Sequence, residues 1–90
     1  MISGDSVPIQ VSGVLDYRLA EEMVVYDPVR SQAASLNGTA RALWDLCDGS
    51  RSVHMLCDEI VKRFDVSHEE ASSQVQSAVE QLCELGLLCV

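Results

Sequence analysis

Ninety residues, 48% of them hydrophobic and 22% charged, make one domain with a single modest core, too apolar for a disordered chain. No apolar run approaches the ~20 residues needed to cross a bilayer, and no basic segment with an apolar stretch follows Met1. Fourteen acidic against six basic residues give a net charge of −8, the opposite of the balance that neutralises phosphates.

These features set the first expectations: a cytoplasmic protein that binds neither membrane nor nucleic acid, with Cys47, Cys57, Cys83 and Cys89 as reduced thiols. Residues 1–13 read as a flexible or extended arm, in which Val7 to Val11 could add an edge strand limited by Pro8. Residues 14–90 read as the folded domain. Val14 to Leu19 and Met23 to Tyr26 are short runs rich in β-branched and aromatic residues, and Ala20-Glu21-Glu22 between them has the length of a hairpin connection. Asp27-Pro28 ends the second run, because proline fixes its own φ and donates no ladder hydrogen bond. A weaker third strand, Ser31 to Leu36, completes an antiparallel meander.

Helical pattern begins after Leu36. Asn37 or Thr39 can cap a first helix with apolar positions Ala40, Leu43, Trp44 and Cys47, and Gly49 stands where a left-handed residue would end it. Ser52 opens a second, whose stripe is Val53, Leu56, Cys57, Ile60, Val61 and Phe64. Ser67-His68-Glu69-Glu70 is a capping box opening a third, with stripe Ala71, Val75, Ala78, Val79, Leu82 and Leu85; Gly86 ends it. The fold class expected is α+β, a three-stranded antiparallel sheet N-terminal to, and packed on, a three-helix bundle of winged-helix type.

Little here suits catalysis. His54 and Cys57 stand three apart on the second helix, but no second close pair completes a zinc site, so His54 reads as a solvated helix residue and no metal or other cofactor is expected. Cys89 lies in apolar surroundings without a base or cation to activate it. There is no glycine-rich phosphate loop and no nucleophile elbow. The acidic pairs Glu21-Glu22, Asp58-Glu59 and Glu69-Glu70 read as solvated faces. What remains is the third strand, whose Ser31-Gln32-Ala33-Ala34-Ser35 makes poor core. It is either a plain edge strand kept safe by its shortness or a backbone edge that another strand can join.

The segment Ser35-Leu36-Asn37-Gly38-Thr39-Ala40-Arg41-Ala42-Leu43-Trp44, followed by Asp48-Gly49, resembles the helix-opening motif of the PqqD-like family. Ser52-Val53, Phe64-Asp65-Val66 and Leu82 with Leu85-Gly86-Leu87-Leu88 are similar to its later landmarks, so the likeness spans roughly Val24 to Leu88. The resemblance implies a non-catalytic recognition element that binds the leader of a ribosomally made precursor peptide as an added strand. Its further partner would be a modifying enzyme, a radical SAM maturase or a leader peptidase. It implies a peptide-binding site of Gln32, Ala33, Ala34, Ser35 and Leu36 with Ser72, Gln76 and Val79 on the third helix. The sequence departs from many relatives in having Val29-Arg30 in the turn and Ala33-Ala34 in place of aromatic residues. A winged-helix transcription regulator, which needs a basic face, is the alternative, and a redox or metal module built on the cysteines is a third. The peptide-binding reading requires that the chain's own arm leave the third strand uncovered.

Overall fold

The computed structural model describes residues 2–90, except for the side chain of Asn37. Two strand systems and three helices share one core. The larger sheet has the order β2 (Leu15–Arg18), β3 (Glu22–Asp27) and β4 (Gln32–Asn37), all antiparallel. Its helices follow: α1 (Gly38–Leu46), α2 (Val53–Phe64) and α3 (His68–Glu84). The smaller ladder pairs β1 (Ile9–Gln10) with β5 (Leu88–Cys89). The strand-then-helix order and the α+β class are those expected from the sequence.

Alternation along β3 explains how the sheet meets the helices. Met23, Val25 and Asp27 are buried while Glu22, Val24 and Tyr26 are not, so one face of the sheet packs and the other is left outside. Met23, Val25 and Leu36 join Leu43, Trp44, Leu56, Ile60, Val75, Val79, Leu82 and Leu87 in one continuous core. Burial of that apolar surface supplies most of the drive to fold. The β2–β3 connection, Leu19 to Glu21, has the expected length but lies one residue earlier, since Glu22 already belongs to β3; Arg41 of α1 donates to the carbonyls of Leu19 and Ala20 and holds the turn down. At the β3–β4 turn, buried Asp27 accepts from the N–H groups of Val29 and Arg30 at 3.0 and 3.3 Å, and Ser31 takes a left-handed φ of 54°.

The helix caps follow the sequence. Ser52 accepts the Met55 N–H and Ser67 the Glu70 N–H, each satisfying an otherwise orphaned donor. Asn37 precedes α1 directly, but the reading of its side chain as a cap lies outside the described residues. Gly49 is left-handed (φ 84°), yet it stands beyond the end of α1 rather than closing it. After Leu46 the chain turns to meet the N-terminal arm: Ile9 bridges Asp48, the Gln10 N–H donates to the Cys47 carbonyl and the Gly49 N–H to that of Pro8.

The arm is therefore held on both sides. Val11 N–H donates to Leu87 O, Val53 N–H to Ser6 O and His54 N–H to Gly4 O, while the Gln76 amide donates to the Ile2 carbonyl at 2.9 Å. Ile2 and Pro8 are buried. All of these contacts lie away from β4, whose outer edge pairs with no strand among the described residues.

Candidate functional site

In an antiparallel ladder the N–H and C=O of successive residues turn to opposite sides. The Leu19 N–H donates to the Glu22 carbonyl at 2.8 Å, which identifies Leu19 and Glu22 as a hydrogen-bonded pair. Counting by twos along the register gives Tyr17–Val24 and Leu15–Tyr26 as the next such pairs. Met23, Val25 and Asp27 then turn their polar groups toward β4, where they meet Leu36, Ala34 and Gln32. The main-chain groups of Ala33 and Ser35 consequently face the outer edge. Small side chains at Ala33, Ala34 and Ser35 leave that edge sterically open.

Beside it lies a trough. A cavity of about 570 Å³ is walled by Ala33 to Leu36 of β4, Ala40 of α1, and Ala78, Gln81, Leu82, Glu84 and Leu85 of α3 and its end. A second hollow of about 460 Å³ continues it past Gly38 and Thr39 to Ser73, Gln74 and Ser77, with Ala40, Ala78 and Gln81 common to both. Gly38 is what starts this gap. Its φ of 49° is a left-handed turn open to glycine at no cost, and it swings the chain from β4 directly into α1. Ala40 and Ala78, where longer side chains would close the space, keep it open. The floor is apolar, with Leu36 and Leu82 buried in the core, and Glu84 sets a carboxylate at one end.

Of the residues expected from the sequence, Ala33, Ala34, Ser35 and Leu36 line this trough, and Gln32 begins the same strand. The three on α3 stand elsewhere. Val79 is fully buried in the core, Ser72 is turned to Cys57 of α2, and Gln76 is bound to Ile2 of the arm and to Glu80. Gln81 is roughly 140° around the helix from Gln76, at 100° per residue. The wall residues missing from that expectation are Ala40, Ala78, Gln81, Leu82, Glu84 and Leu85. A partial signal was present: Ala40 and Ala78 are small members of apolar stripes, although Ala71, equally small, is buried in the core.

The cysteines are free thiols and none lines the trough. Burial pushes the Cys47 thiol up to about 12 and raises Cys57 and Cys83 as well, which disfavours the reactive thiolate. Among the described residues no three His, Cys, Asp or Glu side chains converge as metal ligands would. Among the described residues no helix is long and apolar enough to cross a membrane.

Comparison with known proteins bears on the fold and the family. The structure described as "Lasso peptide synthetase B1 complexed with the leader peptide" superposes with a TM-score of 0.80 over 94% of this chain and 100% of the other, at 16% identity. "TbiB1 in Complex with the TbiA(beta) Leader Peptide" gives 0.78 over 89% and 93%, at 15% identity. At such identities the likeness establishes the fold. No curated protein sequence matches the chain. The family model for coenzyme PQQ synthesis protein D (PqqD) matches residues 22–88, from the first residue of β3 into β5, and on that match the chain belongs to the PqqD family.

Proposed function

We propose that this protein captures the leader segment of a ribosomally made precursor peptide as a fourth strand on β4 and presents the remainder to a modifying enzyme, without catalysis of its own. The observation that carries this reading is the outward-facing main chain of Ala33 and Ser35 beside a trough with an apolar floor. Main-chain bonds to an added strand supply affinity, and pockets for its alternate side chains supply selection. Family membership and a fold shared with two proteins solved with leader peptides support the same reading.

The ligand's chemistry follows from the walls. Every second residue of the leader would turn an apolar side chain toward Leu36, Ala78, Leu82 and Leu85, and a basic residue would suit Glu84. Ordering the peptide offsets part of the gain, so a Kd between roughly micromolar and nanomolar is expected. The regulator alternative needs a basic face, yet the chain has only six Lys and Arg against fourteen Asp and Glu, and five of the six lie within 4.0 Å of one of its own carboxylates.

A leader peptide encoded beside this chain, titrated into labelled protein, tests the proposal. Chemical-shift changes should concentrate on Gln32 to Leu36 and on the Ala78, Gln81 and Leu85 side of α3. Changes confined to the arm or to α2 would reject this mode.

A further inference from the structure

The sheet has a second exposed feature, distinct from its edge. Strand alternation sets Leu15, Tyr17 and Leu19, then Val24 and Tyr26, then Ala33 and Ser35 on the face turned away from the helices, in cross-strand rows Leu15–Tyr26–Ala33 and Tyr17–Val24–Ser35. Leu15, Tyr17 and Leu19 are 47, 56 and 58% exposed. Exposed apolar side chains gathered on one face, as here, are often functional.

We propose that this face docks the enzyme that acts on the captured peptide, through an apolar patch on that enzyme bordered by Lys and Arg. The inference rests on strand addition at β4. Ala33 and Ser35 belong to both surfaces, so an added strand would extend the sheet and place alternate side chains beside Ala33 and Ser35, at the end of the rows that run on through Val24 and Tyr26 to β2. An enzyme seated there touches protein and peptide together. The charge of that enzyme follows from the border: Glu22 shares the end row with Leu19, Glu21 stands at the turn, which Arg41 of α1 meets through the Leu19 and Ala20 carbonyls, and no Lys or Arg occupies a position in the rows of the face. A second copy fits poorly. It would bring the same acidic border and another net charge of −8. Three short strands also span only about 14 by 20 Å, well under the ~800 Å² per partner of a stable association. An added strand and a larger enzyme surface make up that area.

The test uses the full chain, the leader peptide, and the peptide-modifying or leader-cleaving enzyme encoded beside it. Leader affinity is read by fluorescence anisotropy and enzyme affinity by calorimetry on the leader-loaded protein. With Tyr17→Ser and Leu19→Ser combined, enzyme binding should weaken at least tenfold while leader affinity stays within twofold. Glu21→Lys with Glu22→Lys should slow association with the enzyme and flatten its salt dependence. Unchanged enzyme affinity in the serine variant would overturn the assignment, as would sedimentation of the wild-type protein as a dimer that the serine substitutions split. Failure of the wild-type protein to bind leader would instead strike the strand-addition reading, which the anisotropy arm detects independently.

Discussion

The two edges of the three-stranded sheet are built differently. On β2, Asp16 and Arg18 carry the outward main-chain groups, and Arg18 reaches across to Asp45 of α1 with one hydrogen bond of 3.1 Å and another still closer. Charged side chains tied down along an edge hinder another strand from joining it. On β4 the corresponding positions are Ala33 and Ser35, with nothing charged between Gln32 and Asn37, and a trough lies alongside. One edge of the same small sheet is guarded and the other is open. The arm sharpens the contrast, since its own strand pairs with β5 and the α1–α2 connection, leaving the outer edge of β4 without a partner strand among the described residues.

The largest effect expected is on the wall that the open edge shares with the core. Leu82→Ala should cost about 2–5 kcal/mol by leaving a cavity beneath the trough, measured by denaturant unfolding. The edges themselves are separated by a matched pair of prolines. Ser35→Pro removes an outward N–H without touching the β3–β4 ladder and should weaken leader binding at least tenfold, about 1.4 kcal/mol. Asp16→Pro makes the equivalent change on β2 and should leave leader affinity within twofold. Equal losses in both variants would dissolve the distinction between the edges.

Smaller effects concern the pieces that hold each edge in place. Ser31→Gly relieves a left-handed residue at the turn leading into β4 and should raise stability by about 1 kcal/mol, read as a shift in the unfolding midpoint. On the guarded edge, the hydrogen bond from Arg18 holds the Asp45 carboxyl below its ordinary range. A depressed carboxylate pKa contributes stability that is present above the unfolded value and lost as the pH falls through the folded one. Asp45→Asn should therefore remove a small part of the acid sensitivity below about pH 4. Since both partners are over two-fifths exposed, the loss at neutral pH should be under about 1 kcal/mol.

Much of this architecture was legible in the residues. Ser52 and Ser67 announced two helix starts because a cap needs only a side-chain oxygen and a neighbouring N–H, both local. The meander was legible for the same reason: alternation and Asp27-Pro28 act within a few residues. The β1–β5 ladder was not, since two residues on each strand carry no periodic signal and the pairing joins opposite ends of the chain. Nor was the side of α3 that walls the trough. Its apolar stripe identifies the side facing the core, but the polar remainder divides between arm, α2 and trough. Gln76 and Gln81 look alike in sequence, and tertiary packing alone sends one to Ile2 and the other to the open wall.

Amide hydrogen exchange with and without leader peptide tests the central claim at the atoms concerned. The N–H groups of Ala33 and Ser35 should exchange rapidly in the free protein and slow at least tenfold on binding, while those of Asp16 and Arg18 stay fast. Protection appearing at Asp16 and Arg18, or none at Ala33 and Ser35 with the leader bound, would contradict strand addition at β4.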